Sequence, residues 1–358
     1  MADYNWLSKG LHSLSLGQPM IAEAALDIEL STFGRKLSDV TMGHHVFVTG
    51  FPRSGTTILT RHLYDLGQFG SLTYRDMPFV LAPNCWSRVS KVSSKTMAER
   101  ERIHGDGIYV GYDSPEAFDE VFWRISVGED YIKKGRLTPH SCDSDLIEKF
   151  RKYVAAILYR YGKKCYLSKN NNNILRIGSI VEAFPNSYIV VPFRKPLAQS
   201  VSLLNQHKNI LDIQQQDPFI ERYMSWLGHH EFGRGHKTFD LTEKKSSYQD
   251  TQSIEYWLDQ WRMTYSYLLG CYSEFNRHII FICYEELCDD SFKVWESLLW
   301  KIQINNIQGR PEFRLGQSIA LDSVDHDQLV AAENTYNDLC SLSCMTLNRS
   351  ELTHNRTL

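Results

Sequence analysis

The chain has 358 residues, of which 42% are hydrophobic and 23% are charged. This is the composition of an ordinary globular protein, and it excludes a disordered, a collagen-like or a small disulfide-stapled chain. The formal net charge is -3, so there is no overall basic field to attract nucleic acid, and any anion site must be local.

The N-terminal residues 1–44 carry apolar residues at helical spacing, and they predict a helical extension that packs outside the main fold. They lack the charged start, apolar block and cleavage site of a signal peptide. No apolar run reaches the roughly 18 residues that a membrane span needs. Eight cysteines are spread along the chain without a C-x-x-C pair, which favours free thiols in a reducing compartment and a cytoplasmic location.

Residues 45–358 predict a single α/β domain in which short apolar strands alternate with helices. The strand at 45–49 precedes a glycine-bounded loop and a helix, and the strand at 188–193 precedes a second helix. Further strands are predicted at 165–168 and 278–283. Strands that are almost entirely apolar indicate a central parallel sheet flanked by helices, in a three-layer, P-loop-like fold.

A polar stretch at about 208–250 interrupts the alternation of strands and helices. We interpret it as an insertion over the active face rather than as a domain boundary, because loops of this length in compact folds are usually functional or disordered. Its candidates for lining an acceptor pocket are Trp226, His229, His230 and Arg234. The histidine pairs lack metal-ligand spacing, so no metal site is predicted.

The loop after the first strand contains Gly50-x-x-x-x-Gly55. Backbone N–H groups in such a loop converge on an anion, and the following helix N-terminus adds partial positive charge. The loop of triphosphate-binding proteins continues with Gly-Lys-Ser/Thr, whereas Gly55 is followed by Thr56 and Thr57. A cation stands within the loop instead, at Arg53. This pattern fits a nucleotide whose reacting group carries little charge and needs no magnesium, such as a sulfuryl group.

The segment F-P-R-S-G-T-T at 51–57 resembles the 5′-phosphosulfate loop of the sulfotransferases, in the form found in tyrosylprotein, carbohydrate and bacterial enzymes. The resemblance implies that the donor is 3′-phosphoadenosine 5′-phosphosulfate and that no metal takes part. The donor-binding residues that it implies are Pro52, Arg53, Ser54, Gly55, Thr56 and Thr57.

A second anion-binding segment begins where Arg194 ends the strand at 188–193. Pro196 suits the first position of a helix, and Ser202 follows within that helix, with Ser200 close by. A guanidinium offers two donors to a phosphate. The resemblance to sulfotransferases implies that Arg194 and Ser202 bind the 3′-phosphate of the donor.

Two weaker matches extend the resemblance over roughly residues 45–300. They are Ser168-Lys169-Asn170 and the C-Y-E-E-L segment that contains Tyr284. In the family, the lysine acts at the reacting centre and the tyrosine lies along the nucleotide. The resemblance therefore implies that Arg53 and Lys169 stabilise the negative charge that develops on the bridging oxygen during sulfuryl transfer.

The acceptor also needs a base, and the resemblance to sulfotransferases implies an acidic residue or a histidine near the end of the strand after the loop helix. We expect that strand to end at Asp76, which we predict to be the base. Asp76 could equally cap a turn or pair with Arg75. The alternative base is His104, which stands with Asp106 in an H-G-D-G segment typical of a β-turn. Glu116 is interpreted as a carboxylate at a helix N-terminus.

The leading hypothesis is a sulfotransferase that acts on a hydroxyl of a sugar or small molecule, without a nucleic-acid partner or a membrane span. One alternative is a small-molecule kinase with a deviant P-loop, which would bind magnesium and a triphosphate. The other is a non-catalytic nucleotide-binding protein on the same fold.

Overall fold

The computed structural model describes residues 6–90, 100–101, 109–110, 113–242, 246, 248–304, 311–315 and 324–347. Its strands are β1 (Val46–Val48), β2 (Phe69–Gly70), β3 (Arg100–Glu101), β4 (Tyr109–Val110), β5 (Ile132–Lys133), β6 (Arg136–Leu137), β7 (Cys165–Lys169), β8 (Tyr188–Phe193), β9 (Thr238–Phe239) and β10 (Ile279–Cys283). Its α-helices are α1 (Trp6–Ser15), α2 (Pro19–Phe33), α3 (Thr56–Asp65), α4 (Pro83–Ser90), α5 (Glu120–Tyr131), α6 (Ser144–Tyr161), α7 (Ile177–Ala183), α8 (Pro196–Gln216), α9 (Phe219–Trp226), α10 (Ile254–Phe275), α11 (Tyr284–Asp289), α12 (Ser291–Lys301) and α13 (His326–Leu347). Short 3₁₀ turns span Gly34–Lys36, Tyr74–Asp76 and Asn171–Arg176.

Five parallel strands form the central sheet, in the order β10-β8-β1-β7-β2. β1 lies in the middle, where Val48 is in register with Lys169 of β7 on one side and with Val190 of β8 on the other. The chain runs from β1 to β2 beyond β7, and later from β7 to β8 on the opposite side of β1. The strand order therefore reverses at β1, and ligands of open parallel sheets bind in the crevice at such a reversal.

The central strands are apolar throughout because helices cover both faces of the sheet. Ile189 and Val191 of β8 pack into the apolar layer on one face, and Tyr188 and Val190 pack into the layer on the other. The predicted α/β fold with a central parallel sheet is confirmed. The strands predicted from the apolar runs correspond to β1, β7, β8 and β10.

The N-terminal extension is helical, but α2 lies inside the main fold rather than outside it. Ala22 and Leu26 belong to the larger apolar layer. The fully buried carboxylate of Glu29 accepts hydrogen bonds from the backbone N–H groups of Asn84 and Cys85, both at 2.9 Å, in the first turn of α4. At the other end of the chain, α13 packs against α10 and β10.

The stretch predicted as an insertion at about 208–250 is in part regular structure. It contains the second half of α8, the whole of α9, and β9, which joins β5 and β6 in a small sheet. The prediction missed the length of α8 because buried polar side chains fill core positions along it. These are Gln199, Ser200, Gln206, His207 and Gln214.

Among the described helices, none combines the length and the apolar character that crossing a membrane requires. All eight cysteines lie in the described residues, and all are free thiols.

Candidate active site

The loop between β1 and α3 has an unusual backbone, with left-handed φ angles of 145° at Gly50, 67° at Arg53 and 99° at Gly55. Glycine adopts such angles readily, whereas a residue with a Cβ pays about 1–2 kcal/mol. A Cβ on Gly55 would also lie 2.6 Å from ring carbons of Tyr284. The loop thus requires glycine at position 55 on two grounds, and α3 begins immediately after it, at Thr56.

Gln199 of α8 holds this loop in place, and the sequence analysis did not identify it. Its side-chain amide donates to the backbone carbonyls of Phe51 at 3.1 Å and Pro52 at 2.9 Å. Its carbonyl oxygen accepts from the indole N–H of Trp261 at 2.9 Å and from the backbone N–H of Arg194 at 3.2 Å. One buried amide therefore joins the loop to the turn that carries Arg194.

The two predicted anion-binding segments meet directly. The Nε–H of Arg53 donates to Oγ of Ser202 at 3.1 Å, and Nη1 of Arg194 donates to the carbonyl of Arg53 at 3.3 Å. Arg194 follows β8, which is the neighbour of β1 in the sheet, so both loops leave the same edge. Two guanidinium groups and a helix N-terminus thereby converge at the point where the strand order reverses, an arrangement whose charge suits an anion.

Tyr284 forms one wall of this site. Its ring lies against Gly55, and the guanidinium carbon of Arg194 is 5.4 Å from the centre of that ring. Its hydroxyl donates to the carbonyl of Arg314 at 3.2 Å, and burial raises the pKa of Tyr284 to about 12. A neutral ring at this edge offers a flat apolar surface beside two cations.

Lys169, at the end of β7, forms a mostly buried ion pair with Glu116. The Nζ to Oε1 distance is 2.8 Å, and the two side chains are 11% and 9% exposed. Glu116 precedes α5 by a full turn, and its backbone N–H bonds to the carbonyl of Leu72. Its interpretation as a helix N-terminal carboxylate is therefore wrong. The segment around Glu116 runs beside residues 71–73 and brings the carboxylate to the end of β7.

Asp76 belongs to a 3₁₀ turn and not to the end of a strand, because β2 already ends at Gly70. Oδ2 of Asp76 accepts from the backbone N–H of Thr73 at 2.9 Å and from the hydroxyl of Tyr161. Burial raises the pKa of Asp76 to about 6. These contacts are those of a turn cap. Arg75 pairs with Asp113 rather than with Asp76.

The other predicted residues of the loop differ in their surroundings. Thr56 Oγ1 donates to Oδ1 of Asn171 at 3.5 Å, and the side chain of Ser54 is fully buried. Thr57 is half-buried in the first turn of α3. The alternative base His104 and its neighbour Asp106 lie outside the described residues.

A small cavity adjoins the loop beside Phe51 and Pro52. It is lined by Phe51, Pro52, Leu137, Glu231, His236, Lys237, Phe239, Trp257 and Gln260. Glu231 reaches the site through Asn171, whose Nδ2 donates to Oε1 of Glu231 at 3.3 Å. His229 and His230, which were predicted to line an acceptor pocket, lie on a separate cavity beside α9. The described residues contain no group of three or more His, Cys, Asp and Glu side chains that could hold a metal ion.

The sequence profile of the sulfotransferase family matches residues 45–234, which is more than half of the chain. The match spans the loop after β1, the end of β7 and the segment from Arg194 to Ser202. The chain therefore belongs to the sulfotransferase family.

Solved bacterial sulfotransferase structures resemble the chain at low sequence identity. A Mycobacterium tuberculosis sulfotransferase is 11% identical, with 93% of this chain and 83% of that chain covered and a TM-score of 0.47. A Mycobacterium avium sulfotransferase is 13% identical, with coverage of 91% and 75% and a TM-score of 0.45. The sulfotransferase domain of a Synechococcus olefin synthase is 12% identical, with coverage of 83% and 95% and a TM-score of 0.38. A search of curated proteins returned no match.

Proposed function

We propose that the protein transfers a sulfuryl group from 3′-phosphoadenosine 5′-phosphosulfate to a hydroxyl group of a sugar or small molecule. One observation carries the proposal, namely the meeting of the two anion-binding segments through the bonds from Arg53 to Ser202 and from Arg194 to Arg53. A nucleotide with phosphate groups on both its 3′ and 5′ positions needs two such segments side by side.

In this proposal the loop from Pro52 to Thr57 binds the 5′-phosphosulfate, with its backbone N–H groups directed at the anion. Arg194 and Ser202 bind the 3′-phosphate, for which a guanidinium and a hydroxyl are suited donors. Tyr284 borders the nucleotide with its ring. None of these contacts calls for a metal, because the cations come from side chains.

The transfer breaks the bond between sulfur and the bridging oxygen and forms one between sulfur and the acceptor oxygen. Arg53 and Lys169 stabilise the charge that develops on the bridging oxygen. The acceptor hydroxyl loses its proton to a base, and we propose Glu116 for this role in preference to Asp76. Glu116 contacts Lys169 directly, whereas the carboxylate of Asp76 is engaged by the turn that it caps.

The cytoplasmic location expected from the sequence stays a prediction.

Calorimetric titration with 3′,5′-adenosine bisphosphate tests the proposal, first in magnesium and then in EDTA. We expect tight binding that is equal in both buffers. Titration with ATP and magnesium runs in parallel. Binding of ATP with magnesium and none of the bisphosphate would reject the proposal in favour of the kinase.

Incubation with donor labelled in its sulfuryl group, over a panel of sugars and phenols, separates the enzyme from a non-catalytic nucleotide-binding protein. The enzyme yields a labelled acceptor. Bisphosphate binding without transfer to any acceptor would favour the non-catalytic protein.

A further inference from the structure

Two consecutive buried carboxylates, Asp119 and Glu120, lie behind the ion pair of Glu116 and Lys169. Both are at most 2% exposed. They stand at the start of α5, directly after the segment that carries Glu116. The donors to these two carboxylates lie in α5, in β7 or in the turn that follows β7. Lys169 is the last residue of β7, so the donors of β7 and of the turn lie before and after it in the chain.

Glu120 is the more heavily bonded of the two carboxylates. Arg176 donates to both of its oxygens, at 2.8 and 3.1 Å, and Asn170 and Asn172 donate at 2.7 and 3.0 Å. The hydroxyl of Tyr131 is a further donor. Burial opposes the charge of Glu120, but the attraction of Arg176 and these hydrogen bonds hold its pKa below the usual range.

Arg176 is itself enclosed. Its guanidinium carbon is 4.7 Å from the centre of the Trp123 ring and 4.9 Å from that of Tyr131, and both rings belong to α5. The 3₁₀ turn that ends at Arg176 is therefore attached to α5 by a two-point ion pair and by two aromatic faces.

Asp119 makes the corresponding bonds to β7. Its Oδ2 accepts from the hydroxyls of Ser168 and Tyr166, and its Oδ1 accepts from Asn170 at 3.3 Å. Asp119 and Glu120 together thus bond to residues immediately before and immediately after Lys169.

Resting on the function proposed above, we propose that the buried pair of Glu120 and Arg176, with Asn170 and Asn172, positions Glu116 against Lys169. Glu116 reaches the site on a loop and Lys169 on a strand end, and these come from distant parts of the chain. Their separation of 2.8 Å is set by the bonds that join α5 to the turn after β7. A buried ion pair contributes little net stability compared with apolar side chains. We therefore assign the pair of Glu120 and Arg176 a role in holding α5 and the turn after β7 at a fixed separation.

Removal of Glu120 or Arg176 would leave a buried unpaired charge and endanger folding. The test therefore uses Asn172→Ala, which removes one donor to Glu120 together with a bond to the carbonyl of Gly228. The matched control is Asn173→Ala in the same turn, because Asn173 is equally buried but donates to Ser168 and not to Glu120. Tyr131→Phe removes another donor to Glu120 with almost no change of volume. If thermal unfolding shows that Asn172→Ala is not folded, Tyr131→Phe alone tests the positioning of Glu116.

The measurement is the rate at which acetic anhydride acetylates Lys169, followed by mass spectrometry without donor or acceptor. The contact with Glu116 covers this amine, and Glu116→Ala, which removes the contacting side chain, gives the rate for an uncovered amine. We expect Asn172→Ala and Tyr131→Phe to raise the rate severalfold towards that value, and Asn173→Ala to leave it unchanged. An unchanged rate in the first two variants, or an equal rise in Asn173→Ala, would overturn the inference.

Calorimetry on the same variants distinguishes a failure of this inference from a failure of the proposed function. The affinity for 3′,5′-adenosine bisphosphate depends on Arg194 and the loop, so we expect it to be the same in Asn172→Ala as in the unmodified protein. Failure of the unmodified protein to bind the bisphosphate contradicts the proposed function, whereas the acetylation rates judge the positioning alone.

Discussion

Arg194 is the residue that we propose to bind the 3′-phosphate. We expect Arg194→Ala to weaken binding of 3′,5′-adenosine bisphosphate by about 10- to 100-fold, because hydrogen bonds to charged groups are worth about 1.5–3 kcal/mol. Isothermal calorimetry measures the change. Lys195→Ala is the control, since Lys195 is the exposed neighbour and only its backbone is held, by Glu285. Equal losses in the two variants would indicate a general charge effect in place of a specific contact.

Glu116 and Asp76 are competing candidates for the base, and matched amides distinguish them. We expect Glu116→Gln to lower kcat by about 10²- to 10⁴-fold with donor affinity intact, because the acceptor proton loses its destination. Asp76→Asn should keep kcat, since an amide oxygen can still accept the bonds from Thr73 and Tyr161. Turnover of labelled donor with the best acceptor of the panel provides the readout. The reverse ranking would reinstate Asp76.

Asp76 also predicts a pH dependence of stability. Its pKa of about 6 in the folded protein exceeds the value of about 3.9 in an unfolded chain. The folded state therefore binds the proton more tightly, and this contribution to stability is complete below pH 4 and is lost as the pH rises to 6. Two units of pKa correspond to about 3 kcal/mol.

Asp76→Asn lacks this titration. The free energy of unfolding of the variant, minus that of the unmodified protein, should therefore increase by up to about 3 kcal/mol between pH 4 and pH 7. Urea unfolding at several pH values measures both proteins. If the difference in unfolding free energy between the two proteins stays constant across this pH range, burial does not raise the pKa of Asp76.

Some site residues could be read from the sequence and others could not, for a physical reason. Arg53 and Arg194 stand beside short apolar strands, and the ends of parallel strands meet at one edge of the sheet. Glu116 and Gln199 lack such a mark. Each is an isolated polar residue that bonds to a part of the chain far away in sequence, so only the folded structure brings Glu116 to Lys169 and Gln199 to the loop.

At the scale of elements, the loop between β1 and α3 depends on the backbone of Gly55. We expect Gly55→Ala to abolish measurable bisphosphate binding, because the new methyl group would collide with Tyr284 and the φ of 99° is strained for alanine. The control is Gly67→Ala, which also has a positive φ, of 71°, but has open space around its Cβ position. That variant should lose only about 1–2 kcal/mol of stability and retain binding. Normal binding by Gly55→Ala would show that Tyr284 can move away from the loop.

The predictability of an element follows from how it is buried. β8 and β10 are buried on both faces, so nearly every residue is apolar and their bounds are visible in the sequence. β2 has only two residues and carries no periodic signal. α8 buries glutamines, a serine and a histidine among its apolar residues, and the sequence therefore predicts an insertion where its second half lies.

At the scale of the whole molecule, the site draws on segments spread over most of the chain. The loop after β1, the ends of β7 and β8 and the start of α11 all lie at one edge of the sheet. The helices behind them determine how those ends are spaced, as Gln199 of α8 and Glu120 of α5 illustrate. Changes remote from the reacting atoms are therefore transmitted to the site when they loosen the packing of a helix on the sheet.

Substitution of Glu29 provides a test of whether the N-terminal helices unfold together with the rest of the molecule. Its buried carboxylate accepts two backbone N–H groups and the side-chain amide of Asn84, so it joins α2 to the start of α4. We expect Glu29→Gln to lower the free energy of unfolding by about 2 kcal/mol, because an amide satisfies these donors less well. Glu23→Gln, at an exposed position of the same helix, should change it by less than about 0.5 kcal/mol. Urea unfolding followed by tryptophan fluorescence and by circular dichroism should give one coincident transition in each protein. A separate early transition would instead identify residues 1–44 as an appendage that unfolds on its own.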